Sequence, residues 1–204
     1  MHNKIKTIIF DYENTLGGTW HRILDYEELN INIKKFDEFD KSYIRKNFFL
    51  GKMSENKFID SFIYKMGLEI DKEKFKKIVR GAISISPQVV ELAKGFKGKY
   101  TLALASDNAR EWGSYLIKKY RLRGIFSHFF WSYEIGLRKV SPYFFKRMIK
   151  ELGILPSNAI FIDDKERNMR IASRIGINTI LFDNRINNAY WLKQKINGIL
   201  KNEF

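Results

Sequence analysis

Five short apolar runs alternate with helical patterns, and this alternation constrains the fold of the chain more than any other feature of its sequence. The runs are KTIIFD (6–11), YTLALAS (100–106), SHFFWS (127–132), AIFIDD (159–164) and NTILFD (178–183). Several of them are apolar without interruption, which is typical of strands buried on both faces. The sequence therefore predicts an α/β fold built on a doubly wound parallel sheet.

Helical patterns occupy the segments around the later runs. We predict helices over 86–96, 142–152 and 165–175. Ser86 and Pro87 suit the N-cap and the first position of the first of these helices. The amphipathic segment 190–204 predicts a terminal helix that docks on the sheet.

Residues 19–85 hold no comparable strand pattern and interrupt the alternation. Apolar residues in helical spacing predict helices over 54–68 and 71–82, and the second is expected to stop at Gly81. The predicted organisation is a core, 1–18 and 86–204, with a helical insertion, 19–85.

Composition excludes several classes of protein. With 45% hydrophobic residues the 204-residue chain is not expected to be disordered, and no apolar run reaches the roughly 20 residues that cross a bilayer. The absence of cysteine excludes disulfides and thiolate metal sites. We therefore expect a soluble cytoplasmic protein with no membrane partner.

The net charge of +14 favours anionic partners, among them phosphate esters and nucleic acid. No arginine-rich stripe or aromatic-basic module accompanies the charge, so nucleic acid is not the favoured partner. A lysine-rich compositional bias would give the same net charge without any anionic partner.

In open α/β sheets, ligands bind at the carboxyl ends of the strands, where this chain concentrates polar side chains. These are Asp11 and Glu13 after the first run, Ser106, Asp107 and Asn108 after the second, Lys139 beyond the third, and Asp163 and Asp164 after the fourth. Clustered carboxylates attract Mg²⁺, which also binds phosphate oxygens of a substrate. A lysine and a hydroxyl group can hold a phosphoryl group as its charge shifts. The set therefore predicts Mg²⁺-dependent phosphoryl transfer to a carboxylate nucleophile.

Four segments of the sequence are FDYENTL, LALASDN, EIGLRK and IFIDDKERN. In order and spacing they resemble the four motifs of the haloacid dehalogenase-like (HAD) superfamily of Mg²⁺-dependent phosphatases. The run from Ser132 to Phe182 looks especially like one subgroup. That subgroup includes bacterial sugar phosphatases and the phosphatase domain of soluble epoxide hydrolases. The resemblance covers essentially the whole chain, and residues 19–85 take the place of the family's helical cap.

The resemblance implies a nucleophile and a metal site. Asp11 matches the nucleophile, which would form an aspartyl phosphate from a small phosphorylated metabolite. Asp11, the backbone carbonyl of Glu13, Asp163 and Asp164 match the Mg²⁺ site, with Asp164 as the favoured direct ligand.

The resemblance also implies residues around the phosphoryl group, namely Thr15, Ser106, Asp107, Asn108 and Lys139. Ser106 is expected both to bind phosphate and to cap the helix that follows it. Asn168 is expected to supply a supporting hydrogen bond. The cap would open and close through Gly17 and Gly18 and would select the substrate.

One position departs from the family pattern in a way that bears on turnover. Glu13 stands where these phosphatases usually have aspartate, the residue that protonates the leaving group and then activates water. An acid is retained, but displacement of its carboxyl group by about 1 Å can cost about 10²-fold in rate. Three alternatives stay open: a catalytically weak or inactive HAD-fold binding or regulatory protein, a haloacid dehalogenase, and a polynucleotide phosphatase.

Overall fold

A computed structural model describes residues 4–201, and a five-stranded parallel sheet forms its centre. The strands are β1 (Thr7–Phe10), β2 (Thr101–Ser106), β3 (His128–Trp131), β4 (Ala159–Asp163) and β5 (Asn178–Leu181). Their order is β3-β2-β1-β4-β5, and every neighbouring pair is parallel. Each strand lies within the apolar run that predicts it, so the predicted α/β fold is confirmed.

Helices cover both faces of the sheet and form the insertion. In the described chain they are α1 (Ile33–Asp40), α2 (Tyr43–Phe49), α3 (Glu55–Met66), α4 (Lys72–Ala82), α5 (Pro87–Phe96), α6 (Arg110–Lys119), α7 (Ser132–Ile135), α8 (Pro142–Leu152), α9 (Glu166–Arg174) and α10 (Ala189–Lys201). Short 3₁₀ helices lie at Trp20–Asp25, Glu27–Leu29, Leu122–Gly124 and Pro156–Asn158. No helix among the residues described has the length and apolar character needed to cross a membrane.

The two faces of the sheet bury alternate residues of the same strands. Ile8 and Phe10 of β1 belong to one hydrophobic cluster, which includes α5 and α10, and Ile9 belongs to the other, which includes α8 and α9. A strand buried on both faces reads as an uninterrupted apolar run, which explains why the sequence predicted the strands well.

The helix ends follow from their capping residues. The Ser86 side chain accepts from the Val89 N–H at 3.4 Å, as predicted for the start of α5. The prediction that the helix over 71–82 stops at Gly81 is wrong by one residue, because α4 continues to Ala82. Gly81 serves a different purpose there, since a Cβ atom at this position would lie 2.9 Å from the Tyr26 hydroxyl oxygen.

The terminal helix docks as predicted over its described part, Ala189–Lys201, and residues 202–204 lie outside the described chain. Its buried residues Leu192 and Ile196 join the cluster that holds α5. The Trp191 ring stacks against Phe182 with a centroid separation of 6.2 Å.

The insertion is attached to the core by more than its two connections. Its buried aromatic residues surround Trp112 of α6, and Phe48 lies nearest, with a centroid distance of 5.0 Å. The Trp112 Nε1–H also donates to Glu55 Oε1 of α3 at 2.8 Å. One hydrophobic cluster therefore runs from the sheet through α6 into the insertion.

The two connections between core and insertion are hydrogen-bonded to each other. The Gly18 N–H donates to Ser84 O at 3.0 Å, and the Ser86 N–H donates to Leu16 O at 2.8 Å. The proposed boundaries of the insertion, at residues 18/19 and 85/86, therefore lie at neighbouring points in space.

Candidate active site

Asp11 continues β1 beyond its last residue and lies in the middle of the sheet edge. Its N–H donates to Ile162 O at 2.8 Å, which extends the pairing of β1 with β4 by one residue. The chain then turns tightly, with the Gly17 N–H donating to Tyr12 O at 2.8 Å. Asn14 takes a left-handed conformation in this turn, with φ +52°. The Asp11 side chain is thereby held in the protein interior, with 1% of the residue exposed.

Lys139 lies between two of the predicted carboxylates. Its Nζ pairs with Asp11 Oδ1 and with Asp163 Oδ2, the latter at 2.7 Å. Burial alone would lower the pKa of Lys139, but the adjacent Asp11 and Asp163 carboxylates outweigh it and raise that pKa. Burial raises the pKa of Asp11, against the opposing effect of the Lys139 charge. The lysine is thus a fixed cation beside Asp11.

Asp163 and Asp164 are adjacent in sequence but have different surroundings. Asp163 accepts from Lys139 Nζ, from the Lys165 N–H at 2.8 Å and from Asn168 Nδ2 at 3.1 Å. Asp164 accepts from Asn14 Nδ2 at 3.0 Å through Oδ2 only. The Asp163 carboxylate is therefore occupied by protein donors, whereas Asp164 keeps Oδ1 available.

Three carboxylates at this edge could hold a metal ion. Asp11, Asp163 and Asp164 each place an oxygen within 4.8 Å of the others. Asp11 Oδ2 and Asp164 Oδ1 are buried and have no hydrogen-bond partner among the described residues. Buried acceptors without donors are costly, and a hard divalent cation bound by oxygen ligands would satisfy both. The donor set therefore fits Mg²⁺.

Glu13 lies on the side of the site that faces the insertion. Its Oε1 accepts from Thr19 Oγ1 at 3.3 Å, and its Oε2 lies 3.5 Å from Lys165 Nζ. Burial favours the neutral carboxyl, but the charges of Lys165 and Arg45 outweigh it and lower the pKa of Glu13. The structure therefore favours the carboxylate form of this side chain.

Two residues predicted to lie around the phosphoryl group, Thr15 and Asp107, hold neighbouring loops in the structure. Thr15 is fully buried and donates to Phe182 O at 3.3 Å. The Asp107 carboxylate accepts from Arg138 Nε and from the Lys139 N–H, both at 2.9 Å. Asp107 thus positions the backbone of the lysine that contacts Asp11.

Ser106 and Asn108 lie at the end of β2, next to β1, and both are buried. Within residues 4–201, the Ser106 hydroxyl donates to Asp107 O alone, at 3.4 Å. The prediction that Ser106 caps the next helix is wrong, because α6 begins at Arg110 and has Ala109 at its N-cap. Asn108 accepts from the Ala109 N–H at 2.8 Å and so orients the start of that helix.

Sequence reasoning missed a polar cluster in the insertion. Asp40 Oδ1 lies 2.9 Å from His21 Nε2 and 2.7 Å from Arg45 Nε. The His21 N–H also donates to Thr19 Oγ1, which connects the cluster to Glu13. No motif marks these residues. The only hint is the position of His21, two residues after Thr19.

A cavity of about 480 Å³ opens beside the site. Asn14 and Thr19 line it, and these side chains bond to Asp164 and Glu13, respectively. His21, Arg22 and Arg185 also contribute to its walls. The cavity therefore gives access from solvent to the region next to the carboxylates.

Comparison with known sequences identifies the family. A sequence model described as haloacid dehalogenase-like hydrolase matches residues 5–176. The chain belongs to the HAD-like hydrolases. The predicted family and the prediction of an enzyme are both confirmed by this match.

Two curated relatives of this HAD-like hydrolase are named as a hydrolase and a phosphatase. Flavin mononucleotide hydrolase 1 of Arabidopsis thaliana is 29% identical over 72% of this chain, and the chain spans 56% of that protein's length. D-ribitol-5-phosphate phosphatase of Bacteroides thetaiotaomicron is 24% identical over 96% of this chain and 98% of the relative.

A solved HAD family enzyme of Bacteroides thetaiotaomicron, in complex with magnesium and inorganic phosphate, has the same fold. The TM-score is 0.74 at 22% identity, over 86% of this chain and 93% of that one. The similarity extends through the insertion as well as the sheet, since it covers most of both chains.

Proposed function

We propose that this HAD-like hydrolase cleaves phosphate monoesters of small metabolites with Asp11 as the nucleophile. One observation carries the proposal: the buried Asp11 carboxylate is paired with Lys139 on one oxygen, while its other oxygen has no protein donor. The phosphatase names of the curated relatives support the reaction class. The prediction of a small phosphorylated substrate in the cytoplasm is part of the same proposal.

Mg²⁺ would be held by Asp11, Asp164 and the backbone carbonyl of Glu13. Asp164 is favoured over Asp163 because its Oδ1 is unpartnered, whereas Asp163 is engaged by three donors. When bound, the ion would neutralise negative charge at the site, because that charge otherwise opposes the attack of a carboxylate on a phosphate. Asp163 would act as an anchor that holds Lys139 in place.

In the first step, an Asp11 oxygen attacks phosphorus, and the bond from phosphorus to the leaving oxygen breaks. Glu13 in its protonated form gives its proton to that oxygen, while Lys139 holds the phosphoryl charge. In the second step, the Glu13 carboxylate takes a proton from water. The water oxygen attacks the aspartyl phosphate, which releases inorganic phosphate and restores Asp11.

The environment of Glu13 supports a second candidate, a HAD-fold binding or regulatory protein with little turnover. The charges of Lys165 and Arg45 favour the carboxylate form of Glu13, which suits the second step but opposes proton donation in the first. The two candidates share the metal and phosphate site and differ only in the rate of the chemical steps.

The test measures p-nitrophenol release from p-nitrophenyl phosphate, with Mg²⁺ and with EDTA. We expect turnover by the wild type only with Mg²⁺, none by Asp11→Asn, and unchanged turnover by Asp60→Asn. Asp60 is an exposed acid of the insertion, paired with Lys72, so its substitution removes the same charge far from the site. Turnover in EDTA or by Asp11→Asn would contradict the mechanism.

A binding measurement separates the two candidates. We expect Mg²⁺ to raise the melting temperature of the wild type and of Asp60→Asn but not that of Asp164→Asn. A wild type that binds Mg²⁺ and phosphate but releases no p-nitrophenol would establish the binding protein. If Glu13→Asp then hydrolyses p-nitrophenyl phosphate, the extra methylene of Glu13 is the cause of the missing turnover in the wild type.

A further inference from the structure

Asn184, in the loop between β5 and α10, forms three hydrogen bonds to the turn that follows β1. Its backbone N–H donates to Asn14 O at 2.7 Å. Its side-chain amide donates to Thr15 O at 3.0 Å and to Gly17 O at 2.9 Å. One residue therefore supplies donors to three carbonyl groups of the same turn.

The side-chain contacts of Asn184 require two donors on one short side chain. Both acceptors are backbone carbonyls, so the amide must present its nitrogen to them, and its NH₂ group has one hydrogen for each. Aspartate has the same shape, but its ionised carboxylate has no donor. The loop is also braced on its own side, because the Asn187 N–H donates to Asp183 O at 2.8 Å and Arg185 Nε donates to the Asp183 carboxylate at 2.9 Å.

The contacts of Asn184 reach Glu13 by two routes. The first is the backbone, since Asn14 directly follows Glu13 and its carbonyl accepts from Asn184. The second is the carboxyl group, because Glu13 Oε1 accepts from Thr19 Oγ1 at 3.3 Å and Thr19 lies two residues after Gly17. The backbone of Glu13 and the partner of its carboxyl group thus both belong to segments that Asn184 holds.

The position of the Glu13 carboxyl group is critical in the proposed mechanism. Its two proton transfers require hydrogen-bonding distance first to the leaving oxygen and then to water. A displacement of about 1 Å can cost about 10²-fold in rate. The turn also contains Asn14 in a left-handed conformation, which persists only where surrounding contacts hold it.

We propose that Asn184 is a positioning residue for the reaction and holds the Glu13 carboxyl group where both proton transfers require it. Within residues 4–201, its side chain donates to Thr15 O and Gly17 O, so it acts through the turn and not on the reacting atoms. This inference rests on the proposed phosphatase function. It assigns a role to a residue that lies outside the four sequence motifs and outside the insertion.

Asn184→Ala in two backgrounds tests the proposal, with p-nitrophenyl phosphate and saturating Mg²⁺. In the wild-type background we expect kcat to fall by about 10- to 100-fold, with a burst of p-nitrophenol because only the second step depends on Glu13 for this leaving group. In the Glu13→Gln background the same substitution should lower steady turnover by no more than about twofold. The group that Asn184 positions is already lost there, so the two substitutions are not additive.

Further variants separate the hydrogen bonds from the shape of the side chain. Asn187→Ala shortens a side chain of the same loop and should leave kcat unchanged, because in the described chain Asn187 hydrogen-bonds through its backbone. Asn184→Asp keeps the shape without the donors and should lose at least as much activity as Asn184→Ala. If Asn184→Ala does not fold, Asn184→Ser, which keeps one donor, is measured in both backgrounds and should show the same non-additivity.

Three results would overturn the inference. The first two are a wild-type kcat in Asn184→Ala and a wild-type kcat in Asn184→Asp. The third is an equal fold-loss in the wild-type and Glu13→Gln backgrounds, which would mean that Asn184 supports the fold without acting through Glu13.

If the wild type releases no p-nitrophenol, the proposed function fails instead, and amide hydrogen exchange tests the positioning by itself. The Gly17 N–H donates to Tyr12 O within the turn. We expect it to exchange about 10-fold or more faster in Asn184→Ala than in the wild type or Asn187→Ala. Equal exchange in all three proteins would show that Asn184 does not hold the turn.

Discussion

Lys139 Nζ donates to Asp163 Oδ2 at 2.7 Å, and both side chains are almost completely excluded from solvent. Both Asp163 oxygens are engaged by protein donors, since Lys165 and Asn168 also donate to this carboxylate. The second acid of the IFIDDKERN motif therefore keeps an oxygen available for a metal ion, and the first is paired with the lysine. Two adjacent aspartates with the same chemistry thus differ in the partners that surround them.

Removal of Lys139 should be costly for folding as well as for catalysis. In Lys139→Met, Asp11 and Asp163 would face each other in the interior without a cation, which typically costs about 3–5 kcal/mol. We expect this loss in the free energy of unfolding, measured with urea in EDTA at pH 7. Adding Asp163→Asn to Lys139→Met should recover part of it, since one buried charge is removed.

Lys165→Met provides the matched control for that loss. Its Nζ lies 3.5 Å from Glu13 Oε2, but half of the side chain is exposed, so the pair should contribute no more than about 1 kcal/mol. Equal losses in the two lysine variants would show that burial of the Lys139 pair does not govern its contribution.

Glu13→Gln should separate the two steps of the reaction. p-Nitrophenolate leaves without a proton, so the first step with p-nitrophenyl phosphate should continue, whereas the general base of the second step is lost. We expect a burst of p-nitrophenol close to one equivalent of enzyme, then steady turnover about 10²-fold or more below that of the wild type. Mass spectrometry of the quenched protein should find one added phosphoryl group.

The alternative roles of Glu13 give different results in that experiment. A Glu13→Gln protein that turns over at the wild-type rate would show that water is activated by another group. A protein with neither burst nor turnover, but with a wild-type response to Mg²⁺, would show that Glu13 also supports the attack of Asp11.

Much of this site follows from sequence because strand ends are local features. An uninterrupted apolar run predicts a strand buried on both faces, and the parallel sheet then brings Asp11 and Asp163 to one edge. The short helices α1 and α2 were not predicted. The segment IKKFDEFD of α1 is mostly polar, and α2 has seven residues, too few for a clear helical period.

The partners of Glu13 and Arg45 could not be predicted for a related reason. The Glu13–Lys165 contact joins residues 152 apart in sequence, so it depends on the completed fold. Asp40 and Arg45 lie close in sequence, but charged residues at such spacing are usually solvated. Arg45 is instead buried in the folded insertion, where its guanidinium lies over the Phe49 ring.

Gly17 is predicted as a hinge of the cap, and the structure shows that space at this residue is tightly limited. A Cβ atom there would lie 2.2 Å from Ser84 O and 2.5 Å from Cε2 of the Tyr12 ring. We expect Gly17→Ala to lower the free energy of unfolding by about 1–3 kcal/mol, the usual cost of overpacking. Urea unfolding measures the change.

Gly95 of α5 is the control for that substitution, because a Cβ atom there would meet nothing within 4 Å. Gly95→Ala should be neutral or stabilising by up to about 1 kcal/mol, as expected for a helix interior. If Gly17→Ala is as well tolerated as Gly95→Ala, the segment around Gly17 moves freely enough to make room, which would favour the hinge.

Trp112 links the insertion to the core, and its contacts predict that the two unfold together. Its ring packs against Phe48 and Phe58 of the insertion, and its Nε1–H bonds to Glu55. We expect one urea transition, with circular dichroism and tryptophan fluorescence coinciding. Trp112→Ala should cost about 3–5 kcal/mol, the range for large aromatic residues in a core.

Trp112→Phe tests whether the aromatic ring or the hydrogen bond to Glu55 contributes more to the link between insertion and core. It keeps an aromatic ring but leaves Glu55 without one of its donors, although Arg80 still pairs with that carboxylate at 2.6 Å. Because the charge partner is retained, we expect a loss of about 1–3 kcal/mol with the single transition preserved. Two separate transitions in the wild type would show instead that the insertion folds independently of the sheet. The aromatic cluster around Trp112 would then be an interface that opens, as a mobile cap requires.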